Sequence, residues 1–135
     1  MSFEIYVNWF ERGQPAPIPL DTVRRAFGAA VNAREAAGFS VRYGPADESF
    51  IYAKADATGA VASMSIDRPC AAPQLWDSII GAMKLGYALC YWPGDVCAVA
   101  QSGALEHLPS GAVDEFGTPS LVADGASLAK LVAES

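Results

Sequence analysis

The fold is decided by residues 61–94, which read VASMSIDRPCAAPQLWDSIIGAMKLGYALCYWPG. The stretch opens with apolar and polar residues in alternation, the period-two pattern of a strand, and an Arg-Pro pair ends that strand. A proline then begins an amphipathic segment that predicts a helix over residues 73–85. A second strand is predicted over residues 87–92, and it ends at a Pro-Gly turn. This strand–helix–strand order defines the middle of the domain.

The predicted helix over residues 73–85 has the clearest periodicity in the chain. Its apolar residues form one continuous stripe, made of Leu75, Trp76, Ile79, Ile80 and Met83. Because this stripe covers one face, the helix is expected to pack against a sheet. Gly86 follows at the position where a left-handed glycine commonly ends a helix, and we expect it to be such a cap.

Short strands separated by Gly, Pro and Asp turns occupy much of the remaining chain. They are predicted over residues 3–10, 39–44, 48–55, 60–66, 96–100 and 120–123, with further helices over residues 20–27, over residues 112–116 and after Asp124. Residues 29–38 are ambiguous, because their alanines allow a helix but they lack a strong apolar stripe. We therefore predict a single α+β domain over residues 1–135. It would hold a mainly antiparallel sheet of about five to seven strands, with two or three helices packed mostly on one face.

Composition and charge restrict the classes of function. The 135 residues are 52% hydrophobic and 18% charged, which suffices for one core of ordinary size. Nine basic and fifteen acidic side chains give a net charge of −6, so the overall field repels polyanions. Nucleic-acid binding is therefore not expected. An acidic surface suits another protein as partner, in particular a basic one.

Features of export or membrane insertion are missing from the sequence. The opening residues lack a basic segment followed by an apolar run, and no apolar stretch approaches the roughly 18 residues of a membrane span. The three cysteines, Cys70, Cys90 and Cys97, are an odd number and are expected to be reduced thiols. Cys70, at a turn, is the thiol expected to be reachable. We expect a cytoplasmic protein that does not associate with a membrane.

Residue types that carry catalysis or bind metals occur without the spacing that such sites need. His107 is the only histidine, and no nucleophile motif surrounds any cysteine. The cysteines lack the close pairs of zinc sites, and glycine-rich phosphate-binding motifs are absent. The carboxylates fall mainly at turns, where Asp bonds the local backbone. We therefore expect no catalytic residue, no metal and no cofactor.

Five residues are candidates for binding a partner: Arg68, Trp92, Asp95, Asp114 and Glu115. Arg68 follows a strand and precedes a proline, so a rigid scaffold presents its side chain. Trp92 stands beside the Pro-Gly turn and is expected to be partly exposed, where Trp commonly anchors interfaces. The three acidic residues would steer a basic partner towards the protein.

Several short motifs follow one another along the chain. They are Arg68-Pro69 after a strand, Leu75-Trp76 in a helix, Tyr-Trp-Pro-Gly at residues 91–94, Leu108-Pro109, and Gly117-Thr118-Pro119 before a capped terminal helix. This organisation resembles that of small bacterial immunity-type proteins, which protect a cell from its own or a sibling's secreted toxin. The resemblance implies a small, acidic, cytoplasmic and non-catalytic protein that acts by occluding its partner. It does not assign any functional residue.

Three functions remain open from the sequence. The first is a non-catalytic protein-binding module, most concretely an immunity-like inhibitor of a toxin or effector. The second is a small-ligand-binding protein or enzyme with a pocket near Arg68, in which Cys70 or His107 would do the chemistry. The third is a structural homo-oligomer that pairs through an edge strand or through the hairpin at residues 87–92.

Overall fold

The computed structural model describes residues 4–94 and 96–135. It confirms the predicted α+β class, with one large and mostly antiparallel sheet on which helices pack. Within the described residues that sheet has nine strands, more than the sequence predicts, because the strands Gln14–Pro15 and Val31–Glu35 are not assigned from the sequence. None of the helices in this part of the chain is both long and apolar enough to cross a membrane.

The strands are β1 (Glu4–Glu11), β2 (Gln14–Pro15), β3 (Ile18–Pro19), β4 (Val31–Glu35), β5 (Gly38–Gly44), β6 (Asp47–Tyr52), β7 (Ala60–Val61), β8 (Ser63–Asp67), β9 (Tyr87–Trp92), β10 (Val96–Val99) and β11 (Ser120–Leu121). The α-helices are α1 (Leu20–Phe27), α2 (Pro73–Met83), α3 (Ala112–Phe116) and α4 (Gly125–Ala133). Two 3-10 helices are formed by Gly28–Ala30 and Ser102–His107. The stretch over residues 29–38, which the sequence leaves unassigned, thus contains β4.

The main sheet has the order β11-β10-β9-β1-β8-β6-β5-β4, and β2 forms a hairpin with β1. β1 lies in the middle, antiparallel to β8 on one side and to β9 on the other. β8, β6, β5 and β4 form an antiparallel meander, and the pairing of β10 with β11 is parallel. β9 has no free edge for a second copy of the chain, since β1 and β10 occupy both its sides. The edges of this sheet are β4 and β11.

The core lies on the inner face of β1, where Ile5, Val7 and Trp9 are fully buried. Period-two alternation turns these three residues the same way, towards the apolar stripe of α2. The stripe residues belong to the same hydrophobic cluster, to which α1 and α4 also contribute. The Trp9 Nε1–H donates to the carbonyl oxygen of Ala82 over 3.1 Å, so the one polar atom of this indole is satisfied inside the core.

Gly86 is not the predicted left-handed cap of α2. The helix ends at Met83, and the next residue, Lys84, keeps a right-handed conformation (φ −76°, ψ −3°) and donates its N–H to the Ile80 carbonyl oxygen. Gly86 instead lies where two side chains packed in the core approach the backbone closely. A Cβ at Gly86 would lie 3.2 Å from Ile18 Cδ1 and 3.3 Å from Trp9 Cδ1.

The outer face of the sheet is covered at one end only. The 3-10 helix Ser102–His107 and α3 pack there over β9 and β10, around a small buried cluster of Leu89, Cys97, Val99 and Ala104. The longer helices α1, α2 and α4 lie on the inner face, as the sequence predicts for most helices. Among the described residues, no helix covers the outer face of β8, β6 and β5.

α4 approaches α2 closely at Gly125, whose N–H donates to the Asp77 carboxylate over 3.2 Å. α4 begins at Asp124, which accepts from the Ser127 N–H over 2.8 Å as the predicted N-cap. A Cβ at Gly125 would stand 2.6 Å from the backbone carbon of Trp76. Real Cβ atoms do not approach backbone atoms so closely, so only glycine fits between the helices.

Gly125→Ala is therefore expected to destabilise the protein by about 2 kcal/mol, the usual cost of overpacking. Gly81→Ala in α2 is the matched control, because a Cβ there would meet nothing within 4 Å. In this control alanine is expected to raise the free energy of unfolding by up to about 1 kcal/mol, through its higher helix propensity. Urea unfolding measures both values. A Gly125→Ala variant as stable as the wild type would contradict the observed helix contact.

Candidate functional site

Arg68 is presented to solvent at the end of β8, as the sequence predicts. Its backbone adopts a left-handed conformation (φ 51°), and its side chain is exposed. Ser49 secures this turn from the neighbouring strand, because its hydroxyl donates to the Arg68 carbonyl over 3.4 Å and accepts from the Cys70 N–H over 2.8 Å. Arg68 lines none of the three grooves described below.

Trp92 is 5% exposed, so the expectation of partial exposure is wrong. β9 alternates so that Trp92 turns inward with Ala88 and Cys90, and its Nε1–H donates to the Ser135 hydroxyl over 3.1 Å. The indole therefore closes the core beside the end of α4. Asp95, the candidate next in sequence, lies outside the described residues.

Asp114 and Glu115 are exposed on α3, on the outer side of the sheet. Glu115 and Phe116 line a shallow groove of about 270 Å³, to which Trp92 and Val96 also contribute. The structure thus brings two of the five candidates, Glu115 and Trp92, to one groove. Arg68 lies elsewhere, at the end of β8, which is on the opposite side of β1 from β9.

Arg68 and His107 lie at opposite ends of β1 and do not share a cleft. Asp67, next to Arg68, is in register with Glu4 at the start of β1. His107 Nδ1 accepts from the backbone N–H of Arg12, just after the end of that strand, over 3.1 Å. A strand of this length separates the two ends by about 23 Å. An enzyme that uses Arg68 and His107 together is excluded by this distance.

His107 is held by packing in its own corner of the molecule. Its ring stacks on Tyr87 with centroids 3.8 Å apart and planes inclined by 7°. Its carbonyl oxygen accepts from the Gly13 N–H over 3.0 Å. These contacts join the 3-10 helix to the β1–β2 hairpin, so His107 has a structural role.

The sequence analysis missed a row of aromatic side chains on the outer face. Tyr6 of β1 stacks on Tyr91 of β9, with ring centroids 5.1 Å apart and planes inclined by 15°. Phe116 of α3 packs on the other side of Tyr91, with centroids 4.5 Å apart. Farther along the sheet, Phe50 and Tyr52 of β6 lie 4.6 Å apart. Tyr52 is 46% exposed, whereas the other four rings are half-buried.

Two carboxylates stand directly opposite each other beside these rings. Glu4 of β1 is in register with Asp67 of β8, and both side chains are half-buried on the outer face. Asp67 is also in register with Phe50 of β6. Residues paired in this way have Cβ atoms about 5 Å apart. We call the surface of Glu4, Tyr6, Phe50, Tyr52, Asp67 and Tyr91 the acidic–aromatic face.

The hydroxyls of Tyr6 and Tyr91 on this face stay protonated over a wide pH range. Burial raises the pKa of Tyr6, and the neighbouring carboxylate of Glu4 raises it further. Burial likewise raises the pKa of Tyr91, with a smaller contribution from the charge of Glu115. A phenol near a carboxylate loses its proton less readily, since phenolate and carboxylate repel. Glu115 thus belongs to the electrostatic surroundings of the face.

Open grooves adjoin the face without enclosing a site. A groove of about 610 Å³ runs beside Tyr6 and Tyr52 and is lined mostly by alanine and serine. A second groove of about 400 Å³ lies at the other end of β1, beside Phe10 and Lys84. Within residues 4–94 and 96–135 there is no group of three or more His, Cys, Asp or Glu side chains arranged to hold a metal ion.

Comparisons with models of protein families, with curated proteins and with solved structures find no match to this chain. Inferences about function therefore rest on the fold and on the acidic–aromatic face.

The three thiols differ in accessibility. Complete burial strongly raises the pKa of the Cys90 thiol, and burial also raises that of Cys97, whose Sγ lies 3.4 Å from the Gly117 carbonyl oxygen. Cys70 is half-buried, as expected for the reachable thiol. A thiol with a raised pKa forms little of the reactive thiolate at neutral pH.

Ellman's reagent is therefore expected to modify only Cys70 in the native protein, and Cys70→Ser is expected to abolish this reaction. Full unfolding in urea should release all three thiols. Rapid modification of Cys90 or Cys97 under native conditions would contradict the burial of β9 and β10.

Proposed function

We propose that this protein is a non-catalytic binding module, most concretely an immunity-like inhibitor that occludes a bacterial toxin or effector in the cytoplasm. The observation that carries the proposal is the acidic–aromatic face. It is a broad sheet surface, covered by α3 only beside Tyr91, on which tyrosine, phenylalanine and carboxylate side chains lie in register.

The composition of the face favours a protein as its partner. Tyrosine contributes strongly to protein interfaces, because a rigid ring supplies much contact area and its hydroxyl adds a hydrogen bond. Rings that are already stacked, such as Tyr6 on Tyr91, lose little conformational entropy when a partner docks. A flat surface of several strands matches the shape of a protein better than that of a small substrate.

Charge supports the same proposal. The chain carries a net charge of −6, and Glu4, Asp67 and Glu115 lie on or beside the face. Negative potential at an interface accelerates association with a basic partner and repels acidic ones. Occlusion by tight and rapid binding requires no chemistry from the inhibitor itself.

The test is coexpression of this gene with the toxin or secreted effector encoded beside it. Growth is expected to be restored relative to an empty vector, and the purified proteins are expected to form a stable complex in size-exclusion chromatography. The mass of the toxin is expected to be unchanged. Absence of both rescue and complex would contradict the proposal, and rescue with a covalently altered toxin would show an enzyme instead.

A further inference from the structure

The register of three strands places two acids and two rings at neighbouring positions on the outer face. Glu4, Asp67 and Phe50 form one row across β1, β8 and β6. Tyr6 is two residues after Glu4 on β1, so its side chain lies on the same face. Neighbouring strands are about 4.8 Å apart, so one cationic group lying over Asp67 is within reach of all four side chains.

Glu4 and Asp67 place two like charges at directly opposite positions of β1 and β8. Like charges directly opposite each other on neighbouring strands destabilise a sheet. Within the described ranges, the only ion pair joins Arg24 to Asp21, far from this face, so Glu4 and Asp67 have no cationic partner there. A cation placed between them would replace repulsion with attraction.

The neighbouring rings favour an organic cation over a metal ion. Tyr6 and Phe50 present π-systems beside the carboxylates, and such rings attract guanidinium and ammonium groups. Arginine fits best, because its planar fork bonds two carboxylates while its face stacks on an aromatic ring. The net charge of −6 makes the approach of an arginine-rich segment favourable.

We propose that the acidic–aromatic face docks an arginine-bearing segment of a basic protein, with one guanidinium seated between Glu4 and Asp67 and against Tyr6 and Phe50. This inference rests on the proposed function, for which it names the chemistry of the partner. In the bound state the guanidinium donates hydrogen bonds to both carboxylates. The backbone of the segment lies across β1 and β8.

The test measures binding of a fluorescein-labelled nona-arginine peptide by anisotropy at fixed ionic strength. Glu4→Gln and Asp67→Asn are each expected to weaken binding about tenfold, the typical effect of one lost charge-assisted hydrogen bond. Tyr6→Leu is expected to weaken binding severalfold through loss of the ring. Glu106→Gln is the matched control, since it removes the same charge from an exposed helical position. It is expected to change the affinity less than twofold.

Stability supplies the second measurement. Removal of like-charge repulsion is expected to raise the urea midpoint of Glu4→Gln and Asp67→Asn, whereas Glu106→Gln should leave it unchanged. A cation site predicts that Glu4→Gln and Asp67→Asn raise the urea midpoint and weaken the binding of nona-arginine. A lowered midpoint would show that the carboxylates stabilise the free protein, and it would overturn the proposal.

The remaining outcomes are equally decisive. Equal affinity of the face variants and Glu106→Gln would show that nona-arginine binds by net charge alone, which overturns the docking site. A dimer in sedimentation equilibrium that Asp67→Asn dissociates would identify a second copy as the occupant, and this also overturns the proposal. If coexpression still restores growth in either case, the proposed function stands while this docking site is rejected.

Discussion

Trp9 lies fully buried between β1 and α2, and its indole N–H donates to the carbonyl oxygen of Ala82. This contact anchors the middle strand of the sheet to the main helix on its inner face. A Cβ at Gly86 would meet the Trp9 ring at the tight distance of 3.3 Å. A tryptophan of this size leaves no alternative position for β1, because a core packed at crystal-like density does not tolerate displaced rings.

The anchoring of Trp9 also determines the opposite surface. Side chains alternate along a strand, so with Trp9 directed inward Glu4 and Tyr6 must face outward. A slip of one residue would bury the carboxylate of Glu4 and expose Trp9, at a large cost in free energy. The neighbouring strands then bring Tyr91 and Asp67 into register with these residues. The alternation of side chains along β1 thus determines both the packing of the core and the composition of the proposed binding surface.

The sequence predicted those elements whose periodicity is unambiguous, such as α2 and β1. It misassigned the exposure of Trp92 because YALCYW is apolar at most positions, so alternation does not show which face is buried. Arg68, identified from its position before a proline, is exposed as predicted. The pairing of Glu4 with Asp67 joins residues far apart in the chain, and strand register is a tertiary property that one sequence does not contain. The sequence therefore supplied the acidic character of the site but not its location.

Backbone NMR of the ¹⁵N-labelled protein, titrated with nona-arginine, tests most directly whether the outer face of β1 is the binding surface. The account predicts that amide shift changes concentrate on outward-facing residues of β1, β8 and β6, with Tyr6, Ser65 and Phe50 among them. Amides of α1, α2 and α4 on the inner face should remain unchanged. Shift changes confined to those helices, or spread evenly over the acidic surface, would contradict it.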